Sequence, residues 1–264
     1  MTNLTEISPD IFRLTVPFED VYTTVIIFKT PDGDVLFDTA TYPSDIDCYV
    51  VPALNECGIT AESLKYVVIS HDHRDHAGGL ARFAELYPST IIAAGSESCA
   101  ARVPGRTVRV LNDGDMLCGV LRAVSIPGHT LDCTAILDTR SASLITGDCL
   151  QMLGLFGSGK WGANISRPVR HLEALGKLRT LDVDTIIASH DYSPCGYLAK
   201  GKAAVMQYYS ECENALYTIK DTISAYLQLD DAAIAEIYNS SGKLPVIGAH
   251  VITAMRKAMD GGKI

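Results

Sequence analysis

The sequence predicts a mixed α/β domain followed by a helical appendage, and three observations lead there. Over the first two-thirds of the 264 residues, short β-branched runs alternate with segments of helical periodicity. From about Leu198 to the end, apolar residues recur at helical spacing alone. No low-complexity run, long linker or short-period repeat interrupts the chain. Residues 1–197 are therefore expected to form one domain, with 198–264 packed on it as a helical extension.

Strands are predicted at 21–30, 35–37, 65–70, 90–94, 107–111, 120–126, 133–138, 143–146 and 183–189, where Val, Ile, Thr and aromatic residues cluster between turn signals. Asn112-Asp113-Gly114-Asp115, between two of these runs, reads as a hairpin turn. Over 44–57, Ile46, Val50, Ala53, Leu54 and Cys57 recur at helical spacing, and Gly58 supplies a stop. Pro52 should kink that helix. Residues 79–87 and 166–181 also read as helices, the second with Ser166 as N-cap and Pro168 in its first turn. Three more are expected over 205–227, 230–238 and 245–259, the last two separated around Gly242.

Composition sets limits on function. Hydrophobic residues make up 47% and charged residues 20%, as in a globular protein. A net charge of −9 argues against a protein that depends on neutralising nucleic-acid phosphates, but leaves room for a small anion in a locally basic pocket. The N-terminus lacks a basic start followed by an apolar run, and apolar stretches such as Val25-Ile26-Ile27-Phe28 fall far short of the roughly 20 residues that span a bilayer. A cytoplasmic protein with no membrane partner is expected. None of the eight cysteines forms a CxxC pair, so most should pack as small apolar residues.

Five of the seven histidines fall in an ordered set with three aspartates. After the apolar run Val67-Val68-Ile69 comes Ser70-His71-Asp72-His73-Arg74-Asp75-His76-Ala77-Gly78-Gly79, then a helix. Pro127-Gly128-His129, Thr146-Gly147-Asp148 and Ala188-Ser189-His190 follow, each at the end of a strand-like run. In extended chain His71 and His73 point the same way and can share one metal ion with His129. Asp75 and His76, where the chain turns into the helix, project differently and can hold a second ion with His190. Asp148 can bridge the two. Imidazole and carboxylate donors suit zinc, with iron or manganese as alternatives, and the open positions mark a catalytic site.

This pattern resembles the metallo-β-lactamase-fold superfamily over roughly residues 23–192. Residues His71 to His76 are similar to its HxHxDH loop, and His129, Asp148 and His190 match its three later ligands. Asp38, in Leu36-Phe37-Asp38-Thr39, matches an early aspartate that supports the metal loop from behind; Ala40 stands where glycine is common. The resemblance implies a four-layer αββα sandwich with a helical C-terminal extension and a dinuclear site along one edge of the sheets. It implies a catalytic domain over 1–197 and a hydrolase in which a metal-bridging hydroxide attacks a carbonyl or phosphoryl group. Asp75 would orient that nucleophile and carry a proton to the leaving group.

Substrate class follows by elimination. β-Lactamases of the superfamily carry cysteine at the position of Asp148; nucleic-acid-processing members need an insertion for which the 42 residues from Asp148 to His190 leave no room. Flavin-linked di-iron members have glutamate where His73 stands. A small ester, thioester or lactone remains. Lactonases commonly have tyrosine where this chain has Gln151, whereas Tyr192, two residues past His190, is similar to glyoxalase II-like thioesterases. Lys160 is a candidate for holding a substrate carboxylate, with Arg256 and Lys257 adding positive charge. Four glycines in 150–165 suggest a mobile loop, with Met152, Leu155, Phe156 and Trp161 lining an acyl pocket; alternatively Trp161 caps the core.

The competing class is a metal-binding protein that does not hydrolyse, either a sensor or a mononuclear iron thiol oxygenase; a phosphodiesterase is a further alternative. The full set of seven ligands favours hydrolysis. A small-molecule substrate is the expected partner, and the C-terminal helices either roof the site or form a homodimer surface. His171 and His250 are placed in helices away from the motifs. Cys133, Cys149 and Cys195 are expected to pack beside the metal loops, with redox sensitivity as the alternative.

Overall fold

A computed structural model describes residues 3–241 and 245–264. Its first sheet runs in chain order through β1 (Leu4–Ser8), β2 (Ile11–Phe18), β3 (Val21–Phe28), β4 (Asp34–Phe37), β5 (Leu64–Ile69), β6 (Ile91–Ala94) and β7 (Val108–Val110). β1 to β4 form an antiparallel meander, and β4 to β7 are parallel. Between these parallel strands the chain forms α1 (Pro43–Asp45), a π-helical stretch (Ile46–Val50), α2 (Val51–Glu56), α3 (Arg74–Ala77) and α4 (Leu80–Leu86). Next come β8 (Met116–Leu117), β9 (Leu121–Ser125), β10 (Thr134–Asp138), β11 (Ser143–Gly147), β12 (Gly154–Leu155), α5 (Pro168–Leu178), β13 (Thr185–Ala188), β14 (Tyr192–Ser193) and β15 (Leu198–Lys200). The second sheet has the order β15–β13–β11–β10–β9–β8, while β12 pairs with β14. Three helices close the chain: α6 (Lys202–Ala225), α7 (Asp231–Ser240) and α8 (Ala249–Asp260).

Period-two alternation builds the layers. Along β3, Val25 and Ile27 face the core shared with α2 and α4, while Ile26 and Phe28 face the second sheet. On β10, Ile136 meets that inter-sheet core, and Ala135 and Leu137 pack toward α5 and α6. Central strands buried on both faces read in sequence as continuous apolar runs. The result is the expected αββα sandwich. α6, α7 and α8 bury a fourth cluster of their own around Leu216, Ile219, Ile234, Val251 and Ile252.

The structure departs from expectation at several points. β1 and β2 form an N-terminal ribbon that the sequence reading left out, although Phe12, Leu14 and Val16 alternate on one face. Asn112–Asp115 links the two sheets instead of closing a hairpin, because β7 and β8 belong to different sheets. Pro52 falls in the first turn of α2, where its missing N–H is tolerated. The π-helical stretch before it, closed by Val51 N–H to the Ile46 carbonyl, absorbs the lost bond in place of a kink. Arg167 is the N-cap residue of α5; the Ser166 hydroxyl instead donates to the His129 carbonyl. Residues 198–200 pair with β13 as an edge strand, so the helical run starts at Lys202. The separator expected around Gly242 lies at 242–244, outside the described residues.

Candidate metal centre

Every proposed ligand stands just past the carboxyl end of a strand: the His71–His76 loop after β5, His129 after β9, Asp148 after β11 and His190 after β13. Adjoining strand ends therefore bring distant residues to one rim of the sandwich. The loop after β4 clamps the His71–His76 turn. Thr39 donates to the His76 carbonyl through both its amide (2.7 Å) and its hydroxyl (2.9 Å), and Gly78 N–H donates to Ala40 at 3.0 Å. This closeness explains the paired glycines. A Cβ on Gly78 would stand 2.0 Å from the Thr41 carbonyl oxygen, and one on Gly79 2.2 Å from that of Thr39. Ala40 has φ +54°, the left-handed conformation that suits glycine.

The imidazoles are oriented by what lies behind them. His129 Nδ1 donates to the Asn164 carbonyl at 2.7 Å and His190 Nδ1 to that of Tyr22. His76 Nδ1 donates to Asp38 Oδ2 at 2.8 Å. Ser70 Oγ donates to the same carboxylate at 2.9 Å and accepts from His71 Nδ1 at 3.0 Å. A carbonyl can only accept, so Nδ1 of His129 and His190 carries a proton, and for all four imidazoles Nε2 is the nitrogen turned inward, free to ligate once deprotonated. His73 is the exception: its Nδ1 faces inward, 2.8 Å from His129 Nε2.

Two groups result, His71–His73–His129 and Asp75–His76–Asp148–His190, the candidate ligand atoms within each lying within 4.8 Å of one another. Donors about 2.0–2.1 Å from a tetrahedral zinc ion stand roughly 3.3 Å apart. In the second group, His76 Nε2 is 3.3 Å from both Asp75 Oδ2 and Asp148 Oδ1, and His190 Nε2 is 3.1 and 3.2 Å from the same oxygens. Asp148 Oδ2 reaches toward the first group, 3.9 Å from His129 Nε2. His71 Nε2, His76 Nε2 and Asp148 Oδ1 are buried and make no hydrogen bond. Orphaned donors and acceptors at ligand spacing are what a cation site requires, so these residues fit a pair of ions.

The electrostatics separate the two halves. Burial and the neighbouring imidazoles hold His71 well below the usual histidine range. Burial also takes His129 down to about 4. For His190 burial opposes charge, but Asp148 and Asp75 outweigh it and raise the pKa to about 10. His76 is raised in the same way, by Asp75, Asp148 and Asp38. Without cations, His71 and His129 therefore stay neutral near pH 7, while the second group holds its two carboxylates against imidazolium protons.

A cavity of about 360 Å³ adjoins both groups, walled by Phe18, Tyr42, Leu155, Trp161, Asn164 and Tyr192 among others. Trp161 stacks on Phe18 (5.7 Å between centroids) at the cavity wall and also packs against the core under the second sheet. Tyr192 is buried, and its hydroxyl accepts from Gln151 Nε2 at 3.0 Å. Lys160 is not among the lining residues; it pairs with Glu19 and lies over the Trp161 ring. Met152 is sealed in the core and Phe156 is 48% exposed, so neither lines this cavity. Two glycines of the 150–165 loop serve close packing instead of mobility: a Cβ at Gly154 would meet the Trp161 carbonyl, and one at Gly162 the Val246 carbonyl. Arg256 is committed to Asp231 and to the carbonyls of Leu227 and Leu229.

Sequence reasoning missed the hub at Asn164. Its carbonyl holds His129, its N–H donates to Gln151 Oε1 at 2.9 Å, and its Oδ1 lies 3.0 Å from His250 Nε2. His250 is therefore tied to the cluster and not remote from it. His171 is fully buried behind Gly128, and neither of its ring nitrogens has a partner. Five of the eight free cysteines are buried, Cys133 and Cys149 among them, and Cys195 is half-buried against the same core.

No helix of the described residues is long and apolar enough to cross a membrane. Among curated proteins, the chain is 29% identical over 146 residues to the hydroxyacylglutathione hydrolase of Nostoc punctiforme, covering 54% of this chain and 56% of that one. It is 30% identical over 171 residues to the hydroxyacylglutathione hydrolase of Rippkaea orientalis, covering 63% and 64%. The chain thus spans little more than half the length of the first of these relatives. Among solved structures, a metallo-beta-lactamase family protein from Thermus thermophilus superposes with a TM-score of 0.68 at 16% identity, covering 97% of this chain and 95% of that one. The family described as the metallo-beta-lactamase superfamily matches residues 17–190, about two-thirds of the sequence. As this match covers more than half of the sequence, the chain belongs to the metallo-beta-lactamase superfamily.

Proposed function

We propose that the protein is a dinuclear metal-dependent hydrolase of small acyl compounds, with a thioester as substrate and zinc as the metal. The observation that carries the proposal is the pair of ligand groups, with buried Nε2 and Oδ atoms lacking partners at tetrahedral spacing. His71, His73 and His129 would hold one ion, and Asp75, His76 and His190 the other, with Asp148 between them. Bound there, the two cations supply a lowered water pKa and Lewis-acid polarisation of the acyl oxygen.

The chain's own residues do the rest. Asp75 would take the attacking water's proton on its carboxylate and pass it to the leaving sulfur. Burial and the Asp148 carboxylate hold the Tyr192 hydroxyl well above the usual tyrosine range, so it stays a donor toward the developing oxyanion. Gln151 fixes that hydroxyl. Phe18, Leu155 and Trp161 shield the acyl group from water. A thioester is favoured over a lactone by Tyr192 at the cavity wall, by Gln151 in place of a second tyrosine, and by the hydroxyacylglutathione hydrolases among the relatives.

Metal analysis of the purified protein, followed by assays on thioesters, lactones, aryl esters and phosphodiesters, tests the proposal. About two ions per chain and turnover of thioesters are expected, with His73→Ala and Asp148→Asn each abolishing turnover in a folded protein. One iron per chain, or full activity in either variant, would overturn it.

A further inference from the structure

A cationic cavity of about 590 Å³ between α5 and α8 plays no part in the chemistry above. Arg167 and Arg170 reach it from the start of α5, His250 and Lys257 from α8, and Lys263 from the C-terminal tail. Among the described residues no carboxylate lines it, although the chain as a whole has a net charge of −9. Ser166, Arg167 and His250 also border an adjoining hollow of about 380 Å³. Its other walls include His73, His129 and Asn164, which in turn border the cavity at the ligand cluster. The three spaces therefore share walls in series, from the ligand cluster to the cationic end.

Existing partners neutralise little of this charge. Arg170 pairs with Glu173 at 2.8 Å, but both side chains are more than half exposed. Lys257 acts on Asp231, which is already bonded to Arg256 and Thr253. Arg167 donates to the neighbouring Ser166 carbonyl. We propose that this cavity binds the phosphate-bearing end of a carrier whose acyl thioester lies at the ligand cluster, an inference that rests on the thioester reading above. Four permanent cations converging on one space suit phosphate oxygens, which arginine grips in bidentate fashion. A peptide thiol offers carboxylates to the same cations but carries less negative charge than a phosphorylated carrier, so a lining of cations with no carboxylate among the described residues favours the phosphates. Leu131, 62% exposed in the connecting hollow, offers an aliphatic surface to the linker between thioester and phosphates.

The test uses one acyl group carried on coenzyme A, on pantetheine without phosphates and on glutathione, with binding of adenosine 3′,5′-bisphosphate followed by calorimetry. The coenzyme A thioester should have the highest kcat/KM, through a lower KM. In Arg170→Ala/Lys257→Ala, the ratio of kcat/KM on coenzyme A to that on pantetheine should fall about tenfold, with a parallel loss of bisphosphate affinity. Both side chains are exposed, so an unchanged melting temperature certifies the fold. Equal kcat/KM on coenzyme A and pantetheine thioesters, without bisphosphate binding, would overturn the cavity assignment and leave hydrolysis standing. So would a preference for the glutathione thioester that the double variant removes. Bisphosphate binding in a protein that hydrolyses none of the three would instead overturn the thioester reading, and the carrier assignment with it.

Discussion

On the two-ion proposal, replacing Asp38 by asparagine should weaken the second cation site before it costs the fold. The carboxylate is fully buried and accepts three hydrogen bonds, from Ser70 N–H at 2.7 Å, Ser70 Oγ at 2.9 Å and His76 Nδ1 at 2.8 Å. An asparagine amide can keep the Ser70 N–H bond through its oxygen, but then turns N–H groups toward Ser70 Oγ and His76. His76 Nδ1 would have to become an acceptor, moving the imidazole proton to Nε2, the atom 3.3 Å from Asp75 and Asp148. A protonated Nε2 cannot ligate. Losing such a supporting partner typically lowers metal affinity about 10- to 100-fold, equivalent to about 1.4–2.7 kcal/mol. Competition titration against a chromophoric chelator, with elemental analysis after dialysis, should show the second ion weakened by that factor and the first unchanged. An Asp38→Asn protein that keeps both ions at wild-type affinity would refute the account of His76 orientation.

Four further outcomes follow from the same geometry. Burial takes His171 down from 6.5 to about 4. Below pH 6.5 the unfolded chain therefore binds a proton that the folded chain refuses, and stability falls as pH drops toward 4. The loss approaches about 3 kcal/mol and should vanish from the difference curve of His171→Leu in denaturant titrations. Since His190 and His76 are raised in the cation-free protein, loading the second ligand group near pH 7 should release about two protons, measurable in calorimetry across buffers of different ionisation enthalpy. Gly79→Ala forces a Cβ to within 2.2 Å of a backbone oxygen and should destabilise by about 3 kcal/mol, read as a lowered melting temperature. Trp161→Ala should raise KM for the true substrate about tenfold with little change in stability, because the ring lines the cavity and only partly packs on the core.

The ligand set was legible because its chemistry is concentrated in rare residue types at strand ends, and the strands themselves are short, apolar and bounded by turn residues. What escaped was carried by backbone atoms. Asn164 holds His129 through its carbonyl, which every residue possesses, so nothing in its identity announced the role. The glycines of 150–165 looked like a flexible loop, because sequence does not distinguish a glycine kept for freedom from one kept for close approach. Lys160 and Arg256 were read as substrate contacts from charge alone; their pairing with Glu19 and Asp231 depends on segments more than twenty residues away. The N-terminal ribbon was obscured by Arg13 and Pro17, which break an otherwise regular alternation.

The candidate ligands are drawn from both sheets, with His71 to His76 contributed by the first and His129, Asp148 and His190 by the second. A cation gripped from both sides would rivet the two halves of the sandwich together, closing a 115-residue loop between Asp75 and His190 without any covalent link. Because the last of those residues is His190, a chain still emerging from the ribosome would lack a finished site until that residue had been made. Metal capture would thus follow the synthesis of nearly all the strands of both sheets, as a seal on elements already made.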